Sequence, residues 1–160
     1  MKGTVLAAVA LGVSAIALSS CGQKAPEKTE ASPNALPGIS ITDGKLVLPA
    51  VKGNPAAVYF NITYSGDDVA MIRAVDVKGA KSAMLHDTVK SGGMTSMNEM
   101  PPLKLEKGVA VKFEPGGKHV MAMDLDDSLK AGGSTEVTLT FTGGDKASFP
   151  AKIVAAGDAR

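Results

Sequence analysis

The chain has 160 residues, of which 44% are hydrophobic and 21% are charged, and its formal net charge is +1. These values are typical of one folded domain, and a charge this close to zero excludes the basic surface that nucleic-acid binding requires. One Cys and two His exclude a disulfide framework, a thiolate cluster and a zinc-finger ligand set within one chain.

The N-terminal segment is typical of an exported protein. Lys2 precedes an apolar run over residues 5–18, which has the length of a signal-peptide core and is too short to span a bilayer well. The sequence LSSC, which ends at Cys21, resembles the lipobox of bacterial lipoproteins. This resemblance implies a lipoprotein signal peptide over residues 1–20 and a lipid on Cys21, and the alternative is a plain secretion signal. We therefore expect the protein in the periplasm or cell envelope, anchored to a membrane that the sequence does not specify.

A flexible tether is expected to follow the lipidated Cys, so that the two together occupy residues 21–37. Residues 22–37 are polar, contain three Pro and show no hydrophobic periodicity. A flexible chain of this length spans roughly 20–25 Å on average, which would let the domain reach a partner near the membrane. Residues 38–160 are expected to form the folded domain.

From Gly38 onward the hydrophobic pattern has a period of two, and no convincing amphipathic helix is present. Val58, Phe60, Ile62 and Tyr64 alternate with more polar residues, as in a half-buried strand. The pattern predicts a Greek-key β-sandwich of about seven or eight short strands, and a small barrel is the alternative. Further strands are predicted around residues 69–77, 82–90, 109–113, 119–123, 137–141 and 147–153.

Methionine and histidine are concentrated in one part of the chain. Both His and six of the eight Met lie between positions 84 and 123, whereas the alternating positions elsewhere use Val, Ile, Leu and Phe. Methionine is therefore not simply the core filler of this protein. The clustered residues are Met84, His86, Met94, Met97, Met100, His119, Met121 and Met123.

Strand alternation sorts the residues of the 82–90 strand onto two faces. Met84 and His86 share one face, and Ala83, Leu85 and Val89 share the other, which we expect to be the core face.

The pair Gly92-Gly93 is expected to form the tip of a hairpin after this strand. That register would place Met97 opposite Thr88 and diagonal to His86, on the same face.

The 119–123 strand repeats the arrangement. His119, Met121 and Met123 share one face, and Val120 and Ala122 share the other. Two separate strands thus each present a His and a Met on one face, and a fold that brings them together would form a single cluster.

These side chains suit cuprous copper. Thioether sulfur is a soft ligand that selects Cu(I), whereas Zn²⁺ favours His, Cys and carboxylate, and Ca²⁺ and Mg²⁺ favour oxygen. With Cys21 assigned to the lipid, no thiolate remains for a blue-copper centre. The residue types alone leave another interpretation open, because Met often fills gaps in a core and His often makes an ordinary hydrogen bond.

The spacing of four of these residues resembles the signature of the PCu(A)C family of periplasmic copper(I) chaperones. In that signature, ten residues lie between a His and a Met, and twenty-one lie between this Met and a second His. One further residue lies between the second His and a second Met. His86, Met97, His119 and Met121 reproduce all three spacings. The segments AAVYFNITYSGDD, GGMTSM and EPGGKHVMAMDL are also similar to the family, and the similarity extends over roughly residues 40–155.

The resemblance implies a cupredoxin-like β-sandwich that binds one Cu(I) at an exposed site through His86, Met97, His119 and Met121. It also implies delivery of copper to an acceptor, such as subunit II of cytochrome c oxidase with its dinuclear copper centre, or to another copper chaperone. The chain departs from the family after Met97, where members often have Arg-Pro and this sequence has NEM.

Four further Met are candidate auxiliary ligands. Met123 matches a Met that is common in the family, whereas Met84, Met94 and Met100 are not required by the motif. These three form either a second, weaker copper site or a soft apolar contact surface, and we favour the contact surface.

The leading interpretation is a membrane-tethered Cu(I) carrier and not an enzyme. No G-x-S-x-G nucleophile motif is present, and a single Cys cannot form a C-x-x-C pair. The alternatives are a lipoprotein that sequesters copper for tolerance, and a structural lipoprotein without a metal.

Overall fold

The structure, a computed structural model, describes residues 36–158. The signal peptide expected over residues 1–20, the lipidation site Cys21 and nearly all of the tether expected over residues 21–37 lie outside the described residues. Within residues 36–158 no helix is long and apolar enough to cross a membrane.

The described residues form β-strands without any α-helix, which confirms the predicted all-β class. There are ten strands, more than the predicted number of about seven or eight, and the two without a predicted counterpart cover residues 39–47 and 103–105. A bulge interrupts the alternation in the first of these segments, and the second has only three residues, too few to show an alternating pattern. The strands are β1 (Ile39–Val47), β2 (Ala56–Tyr64), β3 (Ala70–Val77), β4 (Ala80–Ser91), β5 (Met94–Glu99), β6 (Leu103–Leu105), β7 (Val111–Phe113), β8 (His119–Leu125), β9 (Ser134–Phe141) and β10 (Lys146–Val154).

The strands are hydrogen-bonded in the order β5-β4-β8-β2-β1-β10-β9-β3-β6, and β7 also pairs with β2. Strands β1 and β10 are parallel, and the other pairs in this order are antiparallel. Neighbours such as β4 and β8 are far apart in the sequence, as the long connections of a Greek key require. This order places β4 and β8, the two strands that carry His, side by side.

One hydrophobic core lies on the inner faces of these strands. All the positions that alternation predicted to face inward on β2 are buried. At the centre, the ring of Phe60 stacks on that of Phe113 with a centroid distance of 4.2 Å, and it lies 4.9 Å from the ring of Phe149. Residues far apart in the sequence therefore pack into the same core.

One position that we expected in the core is exposed. The side chain of Val89 is 45% exposed, so that prediction is wrong. The pairing of β4 with β8 ends at His86 and His119, whereas β4 continues to Ser91. Residues 89–91 of β4 extend beyond the part paired with β8, and they are exposed.

A bulge in β1 interrupts its pairing with β2 between Thr42 and Lys45. Asp43 adopts a φ of 59°, which is uncommon for a residue other than Gly. The Asp43 carboxylate accepts hydrogen bonds from the side chains of Asn61 (2.7 Å) and Thr42 (3.1 Å), and these bonds stabilise the turn locally.

Gly44, the next residue, allows β1 to pass close to β10. A Cβ atom at this position would lie 2.6 Å from the carbonyl oxygen of Pro150 and 2.9 Å from Cδ2 of Phe149. Because both neighbours belong to the packed strand β10, neither can move freely away.

We therefore expect Gly44→Ala to lower the free energy of unfolding by about 1–3 kcal/mol, the usual cost of overpacking. Urea unfolding of the domain would measure this change. Gly157→Ala is the matched control, because nothing lies within 4 Å of a Cβ atom at that position. Equal unfolding midpoints for the two variants would contradict the prediction.

Candidate metal centre

The two His lie directly opposite each other on neighbouring strands. In the antiparallel pairing of β4 with β8, His86 is opposite His119 and Met84 is opposite Met121. Opposed residues in an antiparallel pair share one face of the sheet, and the centroids of the two imidazole rings are 5.9 Å apart. The two His- and Met-bearing faces, which the sequence located on separate strands, are thus one continuous surface.

The β4–β5 hairpin brings Met97 to this surface. Its turn contains Gly92 (φ 58°) and Gly93 (φ 81°), which adopt positive φ angles that other residues rarely take. Met97 pairs with Thr88, as the hairpin register predicted. The Met97 side chain is 53% exposed, so it forms the outer, solvent-facing side of the candidate site.

A shallow cavity of about 390 Å³ brings three of the four predicted ligands together. His119, Met121 and Met97 line it, with Thr88 of β4 and Tyr59 of β2 among the other lining residues. Burial raises the pKa of the Tyr59 hydroxyl, and this group, protonated at neutral pH like any tyrosine, is able to donate a hydrogen bond. The sequence analysis did not assign Tyr59 to the site, although alternation along β2 does place it on the outward face.

His119 is held in a defined orientation and tautomer. Its side chain is only 5% exposed, and its Nδ1 lies 3.0 Å from the carbonyl oxygen of Gly117. Because a carbonyl oxygen can only accept, Nδ1 carries the proton and Nε2 keeps a free lone pair. The Gly117 oxygen also accepts the backbone N–H of Thr88 at 3.2 Å, which fixes its position. In metal sites, His ligands are oriented by such a hydrogen bond from the ring nitrogen that does not bind the metal.

His86 presents a different feature, an unpaired buried nitrogen. Its Nδ1 is buried, and it has no hydrogen-bond partner among the described residues. Buried polar atoms are nearly always paired, so the interpretation of His86 as an ordinary hydrogen-bonded residue does not account for this atom. A metal ion bound to this ring would satisfy it. His86 is absent from the cavity wall and is connected to the site as the cross-strand partner of His119.

An ion pair next to the two His joins Asp87 of β4 to Lys118, the residue that precedes β8. Nζ of Lys118 lies 3.4 Å from the carboxylate of Asp87, and both side chains are about one-third exposed. Asp87 adjoins His86 within β4, and its side chain therefore points to the other face of the sheet.

The structure divides the four auxiliary candidates into two groups. Met84 and Met123 lie on the same face as the His pair. Met94 is 76% exposed and pairs with Ser91, which places it on the opposite face of the hairpin. Met100 is half-buried against the core. Only Met84 and Met123 thus adjoin the predicted ligands.

Acidic residues do not form a comparable cluster in the part of the chain that the structure describes. Residues 36–158 contain no group of three or more His, Cys, Asp and Glu side chains that could hold a metal ion. After β8, the carboxylate of Asp126 accepts a hydrogen bond from the Ser128 backbone N–H at 2.7 Å, which lowers the pKa of Asp126. Asp127 forms an exposed ion pair with Lys52 at 2.7 Å. These residues belong to a turn whose carboxylates are in contact with solvent.

Comparison with known sequences identifies relatives that cover most of the chain. The profile of the family described as "Putative lipoprotein LpqE-like" matches residues 39–153. A relative named "Putative lipoprotein Lxx21020", from Leifsonia xyli subsp. xyli, is 27% identical over 145 residues. The alignment covers 90% of this chain and 83% of the relative.

Solved structures of similar fold include three copper-related domains. The solution structure of Cu(I)-DR1885 from Deinococcus radiodurans is 28% identical, with a TM-score of 0.59, and the match covers 76% of this chain and 81% of that chain. The apo PCuAC domain from PmoF1 is 26% identical, with a TM-score of 0.60 and coverages of 74% and 94%. The copper-bound PCuAC domain from PmoF2 is 21% identical, with a TM-score of 0.62 and coverages of 79% and 98%.

These likenesses confirm the predicted cupredoxin-like β-sandwich. The profile match extends from the first residue of β1 almost to the end of β10, and so includes every strand that builds the candidate site. On this evidence the chain belongs to the LpqE-like family.

Proposed function

We propose that this protein is a Cu(I) carrier of the cell envelope, and that His86, Met97, His119 and Met121 hold the ion. The observation that carries the proposal is the cross-strand pair of His86 and His119, whose rings lie 5.9 Å apart. The Nδ1 atom of His86 is buried and has no hydrogen-bond partner within residues 36–158. The likeness to Cu(I)-DR1885 at 28% identity supports the same chemistry.

The site combines fixed and accessible ligands. His119 is buried and held by Gly117, whereas Met97 is on the edge strand β5 and more than half exposed. All four proposed ligands are neutral when they bind. They therefore do not neutralise the single positive charge of Cu(I), and no strong electrostatic attraction holds the ion. Ligands of an acceptor protein would therefore replace Met97 first and the buried imidazole last.

We propose that the ion is passed to another copper protein, with subunit II of cytochrome c oxidase or a second copper chaperone as the candidates. A lipid on Cys21 and the tether of residues 21–37 would keep the carrier close to membrane-bound acceptors and raise their effective concentration. A second candidate function is sequestration for copper tolerance, which Met84 and Met123 favour because they add thioethers beside the site. Loss of the gene would lower oxidase activity at limiting copper for a carrier, and would leave it unchanged for a sequestrant.

X-ray absorption at the copper edge of the Cu(I)-loaded domain would test the ligand set. We expect one tightly bound ion per chain with about two nitrogen and two sulfur neighbours, as the soft-ligand preference of Cu(I) requires. Met94→Leu is the matched control and should leave the spectrum unchanged, because Met94 lies on the opposite face of the hairpin. A shell of nitrogen and oxygen only, or the absence of saturable binding, would overturn the proposal.

A further inference from the structure

A row of methionines continues the proposed copper site along β4 and β8. Met84 is directly opposite Met121, and Met123 is the next residue on the same face of β8, opposite Ser82. We refer to Met84, Met121 and Met123 as the thioether ladder. All three side chains are half-buried, so they are accessible without being fully in solvent.

Core packing does not explain the thioether ladder. The partly buried hydrophobic residues that pack against the core include Met100, but not Met84, Met121 or Met123. Val120 and Ala122, which alternate with the ladder on β8, are fully buried and supply the core contacts of this strand. The three thioethers therefore lie on the outward face, where their flexible side chains are free to take up a ligand.

The spacing of the ladder suits one soft ion. Directly opposed residues have Cβ atoms about 4.5–5.5 Å apart, and diagonal neighbours at about 7–8 Å are still within reach of long side chains. Methionine has three rotatable bonds, so three sulfur atoms on such positions can converge on a common point. Three neutral thioethers form a donor set that selects Cu(I) over the divalent metals that prefer nitrogen or oxygen.

We infer that the thioether ladder is a second Cu(I) position, which shares Met121 with the His pair. The inference rests on the proposed function, since it assumes that the chain takes up Cu(I). Because Met121 belongs to both positions, one ion occupies them in turn. The ion moves by exchanging imidazole nitrogen for the sulfurs of Met84 and Met123, remains cuprous throughout, and needs no electron or proton donor.

The His86→Ala/His119→Ala double variant isolates the ladder. We expect it to bind one Cu(I) per chain through sulfur neighbours only, with an affinity lower by roughly 1,000-fold, or about 4.1 kcal/mol. Adding Met84→Leu and Met123→Leu should abolish this residual binding, whereas adding Met94→Leu should not. Leucine conserves the side-chain volume and so the fold. If the double variant binds no Cu(I), or if its binding survives the loss of Met84 and Met123, the inference is wrong.

Nuclear magnetic resonance of the wild-type domain, labelled at the methionine ε-methyl groups, gives an independent readout with Ag(I) as a closed-shell substitute for Cu(I). The methyl signals of Met84 and Met123 should shift or broaden together with those of Met97 and Met121, while the signal of Met94 stays in place. Shifts at Met97 and Met121 alone would overturn the ladder and leave the proposed function intact. Absence of any shift, together with absence of Cu(I) binding, would overturn both.

Discussion

Replacing His119 with Ala should weaken Cu(I) binding about 100-fold, the largest effect of any single ligand, which corresponds to about 2.7 kcal/mol. His119 is only 5% exposed, and its hydrogen bond to Gly117 fixes the tautomer that leaves Nε2 free. A ligand oriented in this way loses little conformational freedom when it binds a metal. Its removal therefore costs both the nitrogen–copper bond and the advantage of this preorganisation.

Met97→Leu is the comparison for this experiment. Met97 is 53% exposed and pairs only with β4, so it has to be ordered when it binds, and we expect its loss to cost only about tenfold in affinity. Competition with a Cu(I) chelator would measure both variants, and thermal unfolding of the apo domains would show that each is folded. An affinity of the His119 variant equal to or above that of the Met97 variant would contradict the proposed hierarchy.

The largest expected effect on stability is that of Phe60→Ala, which should lower the free energy of unfolding by about 3–5 kcal/mol. The Phe60 side chain is 1% exposed and contacts two other aromatic rings, Phe113 and Phe149. Truncation removes the buried apolar area and both aromatic contacts, and it leaves a cavity between strands that cannot close around it.

Denaturant unfolding of the apo domain would measure this loss. Val69→Ala is the control, because Val69 is 70% exposed and its truncation should change the free energy by no more than about 0.5 kcal/mol. A Phe60 variant that unfolds at the same denaturant concentration as the Val69 variant would show that these strands do not share one core.

Local rules were sufficient to predict much of the fold and part of the site. Alternation along β2 identified its inward face, and the pair Gly92-Gly93 placed Met97 opposite Thr88, because both depend on residues close in the sequence. Alternation also put Met121 and Met123 on the same face as His119.

The rest depends on pairings between distant segments, which a local pattern does not encode. The position of β4 beside β8, and hence the contact of His86 with His119, follows from the packing of the whole core. Val89 is exposed because it lies beyond the part of β4 that pairs with β8. Tyr59 lines the cavity because β2 lies on the other side of β8. The direct opposition of Met84 and Met121 was likewise not predictable from either strand alone.

In the proposed carrier, the edge position of β5 would separate the release of Cu(I) from the stability of the domain. Every residue from Met94 to Glu99 is exposed, so fraying of this strand uncovers almost no apolar surface and costs little beyond its backbone hydrogen bonds. His119 and Met121, in contrast, are on a strand with neighbours on both sides, anchored by the core residues Val120 and Ala122. In the proposed carrier, an acceptor would open this edge strand to reach Met97, and the core of the domain would remain folded after the ion has left.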